Sequence, residues 1–234
     1  MNLAVVLITC DRPKYTKRTI ESFRDHNPVN APVQIPVRYF HVDDNSRTDE
    51  NIVLANRAGF STIGVNNPRR GNTVTRRMAV QKAAVRSDFT HVLLLENDWE
   101  CARPVPWDLI QWIMEHPDHD VYHLRLWHHF KDKDKFLSHN PNVPLKSRGH
   151  RGRGWCDPGW TPVQGGPEPV DVGDIHWGAP PSVTRLEEFF QLHHKAKSER
   201  HSIMVSGDIQ ARCAQVKTNV FWHIGAERTP GFLR

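Results

Sequence analysis

The stretch that most constrains this chain is His91 to Glu100, HVLLLENDWE. Four consecutive apolar residues, Val92 to Leu95, are too few for a lone helix and right for a strand buried on both faces. That strand ends in three acids, Glu96, Asp98 and Glu100. In open α/β sheets ligands gather beyond the carboxyl ends of the strands, and oxygen ligands one residue apart can reach one divalent cation that also holds phosphates. Glu96 and Asp98 are therefore candidate metal ligands; the competing reading is a strand running into a solvated acidic turn.

The chain before this stretch has the rhythm of a parallel sheet. Asn2 to Cys10 is a nearly continuous apolar run that stops at Asp11-Arg12-Pro13, with Pro placed to open a helix. Thr16, Ile20 and Phe23 recur at helical spacing until Asn27-Pro28. Val37 to Val42 reads as a second strand, and it too ends in acids, Asp43 and Asp44, before the turn residues Asn45 and Ser46. A polar helix over Thr48 to Arg57, a strand over Ser61 to Val65, a loop ending at Asn72 and a helix over 72–86 follow, the last with Val74, Met78 and Val85 on one side. The alternation β-α-β-α-β-α-β predicts an α/β fold, Rossmann-like and doubly wound, with a mostly parallel central sheet and flanking helices. Asp43-Asp44 and Glu96-Asn97-Asp98 then face the same edge of that sheet. No glycine-rich phosphate loop is present, so phosphate would be held by metal and basic side chains.

After the acids, Trp107, Ile110 and Met114 mark a short helix, and Asp120 to Trp127 a half-buried strand with Val121, His123 and Arg125 on one face and Tyr122, Leu124 and Leu126 on the other. Residues 128–169 break every earlier rhythm. They are rich in Gly, Pro, His, Lys and Arg and read as one long, flexible basic loop. Beyond it we expect a strand over Val170 to Trp177, a helix over Val183 to His194, a second helix after Ser206-Gly207-Asp208, and a last strand over Asn219 to Ile224. At 234 residues this fits one domain, 1–234, whose first hundred residues read as a nucleotide-binding layer.

The balance of 31 basic and 26 acidic residues, net +5, favours a polyanionic partner. Four cysteines, Cys10, Cys101, Cys156 and Cys213, form no C-x-x-C pair and suit a reduced, cytoplasmic protein. The opening MNLAVVLITCDRP is too short and too soon charged for a signal peptide or membrane span, and no other segment approaches one. The pairs His128-His129 and His193-His194 lack the spacing that converges on zinc.

Taken together, VVLITCDRPKYTKRTIESF, HVDDNS, RRGNTVTRRMAV, LLLENDWE and FWHIG resemble, in order, the glycosyltransferases of the GT-A fold, particularly family 2. The resemblance implies a metal-dependent transferase that moves a sugar from a nucleotide-diphosphate sugar, here a UDP-sugar, to a hydroxyl acceptor. It implies that Thr9, Cys10 and Arg12 hold the nucleotide, that Asp43 and Asp44 contact base and ribose, and that Glu96, Asn97 and Asp98 stand for the D-x-D motif that binds Mn²⁺ or Mg²⁺. The first acid of that motif is longer here than the usual aspartate. His223 fits the histidine that often completes the metal site, and imidazole tilts the choice toward manganese. Asp208 stands where the family has its general base, which would make the transfer inverting. Trp177 sits in a segment resembling the acceptor loop. Alternatives stay open at several positions: Asp43 with Ser46, and Asp208, as caps, and His223 as a core histidine. Arg69, Arg70 and Asn72 precede a helix N-terminus and suit an anion or sugar hydroxyl, or form a solvated basic turn.

For the acceptor, loop 128–169 combines Lys146, Arg148, Arg151 and Arg153 with Trp155 and Trp160, phosphate-seeking cations beside flat stacking surfaces. A small basic transferase with such a loop resembles the phage enzymes that glycosylate hydroxymethylated pyrimidines in DNA, which must extract a base from the duplex. A transferase acting on a glycan, protein or small molecule, and a nucleic-acid-binding protein without catalysis, are the other two classes. The ordered acids count against the last.

Overall fold

The computed structural model describes residues 2–27, 35–116, 121–126, 133–138, 160–161, 170–171, 181–195, 212–216 and 220–224. The predicted alternation is present through the first hundred residues: β1 (Leu3–Thr9), α1 (Pro13–His26), β2 (Val37–Asp43), α2 (Glu50–Arg57), β3 (Ser61–Val65), α3 (Asn72–Arg86) and β4 (His91–Glu96). Then come β5 (Trp99–Cys101), α4 (Trp107–Glu115), β6 (Val121–Arg125), α5 (Lys133–Ser138), β7 (Trp160–Thr161), β8 (Val170–Asp171), β9 (Ser182–Arg185), α6 (Leu186–Lys195), β10 (Arg212–Val216) and β11 (Phe221–His223). No helix among the described residues is long and apolar enough to cross a membrane.

The main sheet has the order β3-β2-β1-β4-β9-β6-β10-β8-β7. The first four strands are mutually parallel, β9 is antiparallel to both β4 and β6, and β10 is parallel to β6. All seven residues of β1 are buried, because this strand is covered on both faces. Its odd-numbered apolar side chains, Leu3, Val5 and Leu7, pack with Ile20 and Phe23 of α1 and with Leu109, Ile110 and Met114 of α4. Ala4, Val6 and Ile8 point the other way, into Ala79, Val80 and Ala83 of α3 and Phe189 of α6.

Several expectations are corrected. The buried face of α3 is Thr75, Ala79, Val80 and Ala83, while Val74 and Val85 are exposed. Thr75, Ala79 and Ala83 let α3 lie close to the sheet, and of its three valines Val80 alone is on the buried face. Val183 belongs to a strand, not a helix: Ser182–Arg185 fills the gap between β4 and β6, and the helix starts at Leu186. Arg212–Val216 is likewise a strand where helix was expected after Asp208. β6 is buried on both faces at its centre, since His123 and Leu124 are both inaccessible. Within the expected structureless loop, Lys133–Ser138 is helical, because Phe136 is fully buried against Trp222, with ring centroids 5.4 Å apart. The expected last strand is present as Phe221–His223 and pairs with β5 in a two-stranded sheet.

Asn27, at the end of α1, ties that helix to the segment leading into α4. Its carboxamide oxygen accepts from the Val105 N–H and from Trp107 Nε1, both at 3.1 Å. Replacing Asn27 by Ala strands two buried donors at about 1–3 kcal/mol each. We expect urea unfolding of Asn27→Ala to show a loss of about 2–4 kcal/mol, and a loss below about 1 kcal/mol would remove Asn27 as the tie.

Candidate functional site

Parallel pairing sets the strand ends side by side: Thr9 of β1 is level with Asp43 of β2, and Ile8 with Glu96 of β4. Beyond this edge lies a cleft of about 230 Å³ lined by Ile8, Thr9, Cys10, Asp11, Arg12, Asp44, Arg69, Gly71, Thr75, Glu96, Asn97 and Asp98. Of the expected donor and metal residues, Thr9, Cys10, Arg12, Asp44, Glu96, Asn97 and Asp98 thus share one cavity. Asp43, Arg70 and His223 stand around it.

The two aspartates after β2 are buried and satisfied from within. Asp43 accepts from Thr9 Oγ1 at 2.7 Å, from the Ser46 N–H at 2.7 Å and from Ser46 Oγ at 2.6 Å. Asp44 accepts from Asn66 Nδ2 at 2.9 Å and from the backbone N–H groups of Arg70 at 3.0 Å and Gly71 at 3.1 Å. Burial opposes this carboxylate's charge, but the hydrogen bonds from Arg70, Asn66, Thr75 and Gly71 outweigh it and hold its pKa below the ordinary value. Gly71 takes φ +78° to present its N–H there, a conformation other residues adopt at a cost. The capping reading of Asp43 with Ser46 is therefore realised, and Asp44 braces the loop before α3. Cys10 donates from Sγ to the Asp44 carbonyl, and burial pushes its thiol pKa up.

The acids after β4 divide. Glu96 accepts from Arg76 Nε at 2.9 Å, and Arg76 Nη2 lies 2.8 Å from the same oxygen; this guanidinium is buried. Asn97 turns inward, donating to the Asp11 carbonyl at 3.0 Å and to Thr16 Oγ1 at 3.1 Å. Glu100 is held by Arg18 of α1. Asp98 alone presents its carboxylate to Arg12 Nη1 at 3.2 Å and to His223 Nε2 at 3.4 Å. Burial opposes its charge, yet the hydrogen bond and charge of His223, with Arg12, keep its pKa below the usual carboxylate range. His223 reaches this point because β11 pairs with β5 so that His223 lies opposite Trp99, the two rings 4.7 Å apart. Its side chain is 41% exposed, which sets aside the core-histidine reading.

Asp98 and His223 fit a divalent cation as two neighbouring donors of a partial shell, the kind that substrate phosphates and water complete. Glu96 does not join them while it holds Arg76, and no group of three His, Cys, Asp or Glu side chains suited to a metal occurs among the described residues. Arg151, Arg153, Trp155, Trp177 and Asp208 lie outside the described residues. Trp160 is in β7 near the far edge of the sheet, and Asn72 is the first residue of α3. Arg70 contributes its backbone N–H to Asp44, and its side chain is exposed. The sequence reading missed Arg76, Asn66 and Asp11. An arginine on the sheet-facing side of a helix, one turn past Gly71, was the available signal for Arg76.

No family model matches the chain, and no curated protein matches it in sequence. Its likenesses are structural. The crystal structure of residues 1–349 of S. aureus TarS superposes with a TM-score of 0.54 at 14% identity, covering 94% of this chain and 59% of that one. The fold is GT-A. The same TarS region has been solved in complex with UDP, at TM-score 0.54, and with UDP-GlcNAc, at TM-score 0.50 and 13% identity. This chain spans about three fifths of the TarS region it matches.

Two buried histidines give the fold a pH dependence. Burial drives the His41 pKa down to about 4, partly opposed by the charge of Asp43, and the ring lies between Thr9 Oγ1 at 2.8 Å and Thr62 Oγ1 at 2.9 Å. His91 is lowered to about 4 as well, by burial and then Arg185. A histidine depressed in the folded state is protonated first in the unfolded chain, so stability is full above about pH 6.5 and falls as pH drops toward 4. The loss from pH 7 to pH 5 is on the order of 2 kcal/mol for each ring. Denaturant melts of His41→Gln at these two pH values should show about half the parent's loss; an equal loss would exclude His41 as a source.

Proposed function

We propose that this chain is a glycosyltransferase that moves a sugar from a nucleotide-diphosphate sugar, a UDP-sugar in the first instance, to a hydroxyl acceptor. One observation carries the reading. Asp98, with Arg12 and His223 on its carboxylate, stands in the same cleft as Thr9, Cys10 and Asp44, at the carboxyl edge of a GT-A sheet. The TarS complexes with UDP and UDP-GlcNAc support a uridine nucleotide as the first donor to test. Residues 1–100 form the donor half of a single GT-A-like domain, and 101–234 form the acceptor half.

In this reading the nucleotide lies along Thr9, Cys10 and Arg12, with Asp43 and Asp44 shaping the base and ribose end and Arg70 and Asn72 at the α3 N-terminus. Asp98 and His223 hold Mn²⁺, or Mg²⁺, and Glu96 joins only if it releases Arg76. The bound cation would neutralise charge on the departing diphosphate. Arg12, beside Asp98, adds a guanidinium that suits phosphate oxygens. Asp208 takes the proton from the acceptor hydroxyl as that oxygen attacks the anomeric carbon, on the face opposite the diphosphate; the centre inverts. The acceptor is a hydroxymethylated pyrimidine in DNA, gripped through Arg151 and Arg153 and stacked by Trp155, Trp160 or Trp177. The run of cations interleaved with tryptophans in 146–160 supports that choice.

The test is a screen of UDP-, GDP- and other nucleotide sugars against plain and hydroxymethylated duplex DNA, with and without Mn²⁺. Labelled sugar on the hydroxymethylated duplex alone is the expected outcome; donor hydrolysis without labelled DNA would move the acceptor to a glycan, protein or small molecule. Asp98→Ala should lower turnover by about 10²–10³-fold, the equivalent of several kcal/mol of charge stabilisation. Salt-sensitive DNA binding indifferent to nucleotide, Mn²⁺ and Asp98→Ala would replace the transferase reading by a non-catalytic binder.

A further inference from the structure

Asp11, the residue between Cys10 and Arg12 in the cleft lining, is tied through its N–H, its carbonyl and its carboxylate at once. Its N–H donates to Ser46 Oγ at 2.8 Å. Its carbonyl accepts from Asn51 Nδ2 of α2 at 2.9 Å and from Asn97 Nδ2 beyond β4 at 3.0 Å. Its carboxylate accepts from the Arg47 N–H at 3.0 Å and from Arg69 Nη2 at 2.6 Å. Five hydrogen bonds thus bring four separate segments onto one residue. Asn51 and Asn97 are buried, and neither has a role in the proposed chemistry that would explain it.

The backbone here is unusual as well. Asp11 has φ +50° and Arg12 φ +60°, two successive non-glycine residues in the left-handed region. Such a pair persists only where surrounding contacts over-determine it, and Asp tolerates it better than most side chains. The reversal turns the chain so that Pro13 opens α1 while Arg12 faces Asp98. Asp11 also sets the second cation of the cleft. Its carboxylate, supported by the Arg47 N–H and with Arg69 paired to it, is held below the ordinary pKa range, so the pair is charged at neutral pH. Arg69 is half exposed, and its Nε leans on the Asp44 carbonyl at 3.4 Å. Asp11 supplies the shorter of these two contacts and the one that engages Nη2, turning the Arg69 guanidinium toward the β1–α1 side of the cleft.

We infer that Asp11 is a positioning residue: it fixes the β2–α2 and β3–α3 loops against the β1–α1 turn and holds Arg69 as an anion-receiving wall of the cleft. The part concerning Arg69 rests on the donor-site reading; the part concerning the loops does not.

Two variants separate charge from shape. Asp11→Asn keeps an oxygen for the Arg47 N–H and accepts positive φ, but removes the charge that holds Arg69. Asp11→Ala removes both. In amide exchange followed by NMR on the ligand-free protein, Asp11→Ala should speed exchange at Arg47, Arg70 and Gly71 by about tenfold or more, as expected for losing a charge-assisted hydrogen bond. Asp11→Asn should speed Arg70 and Gly71 and leave Arg47 protected. Unchanged exchange, or equal acceleration through the interior of α3, would overturn the loop assignment. Calorimetry with UDP and Mn²⁺ forms the second arm. Parent protein that binds no UDP would reject the donor-site reading and leave exchange to decide the loops. If it binds, Asp11→Asn and Arg69→Gln should each weaken UDP by about tenfold, and the double variant should be no weaker than the worse single, the mark of coupled residues. Unchanged affinity, or losses that multiply, would remove the role of Arg69.

Discussion

The cleft depends on the register that locks β1 between β2 and β4. Because side chains alternate along a strand, a slip of one residue would send Leu3, Val5 and Leu7 to the α3 side and Ala4, Val6 and Ile8 to the α1 side. The two faces are not interchangeable: one receives Phe23 and Met114, the other the small residues of α3. Packing therefore specifies the register, and the register carries Thr9 to Asp43 and Ile8 to Glu96. The polar ladder continues past the strands, with the Asp44 N–H donating to the Thr9 carbonyl at 2.7 Å and the Asn97 N–H to the Ile8 carbonyl at 3.1 Å. Carboxylates at this edge are placed by apolar residues that lie almost entirely behind the cleft.

How these carboxylates are neutralised separates them. Asp43 and Asp44 spend their lone pairs on Thr9, Ser46, Asn66 and two backbone N–H groups, so they act on the cleft mainly through the loops they brace. Glu96 faces a buried guanidinium, and removing either partner would leave a buried charge without compensation. Asp98 differs in that Arg12 and His223, which meet its carboxylate, are both substantially exposed. A ligand can compete for such a carboxylate at small cost, whereas competing for Glu96 means unpairing Arg76.

What was legible in the sequence follows from locality. β3 and α3 fall on the expected residues, 61–65 and 72–86, because each is bounded by its own turn signals, Gly59 and Gly71 among them. Ser182–Arg185 was misread because its strand character comes from two neighbours far away in the chain, β4 and β6, and not from any pattern of its own. α5 was hidden by composition: one phenylalanine among lysines and aspartates is enough to anchor a six-residue helix once Trp222 is there to receive it. The acidic strand ends were legible at the level of the sheet edge. Their partners were not, since Arg76 and Asn66 reach them only through the fold.

The β5–β11 ribbon has a consequence for how the protein is made. Phe221 pairs with Cys101, so this small sheet closes a loop of about 120 residues, among the slowest kinds of contact to form. On the ribosome the parallel core through β4 can assemble while the segment bearing His223 is still unsynthesised. For that interval Asp98 has Arg12 but no imidazole beside it, and a nascent chain would hold Thr9, Cys10 and Asp44 at the sheet edge before His223 arrives. Completion of the Asp98–His223 pair is thus timed to the end of folding rather than to its beginning.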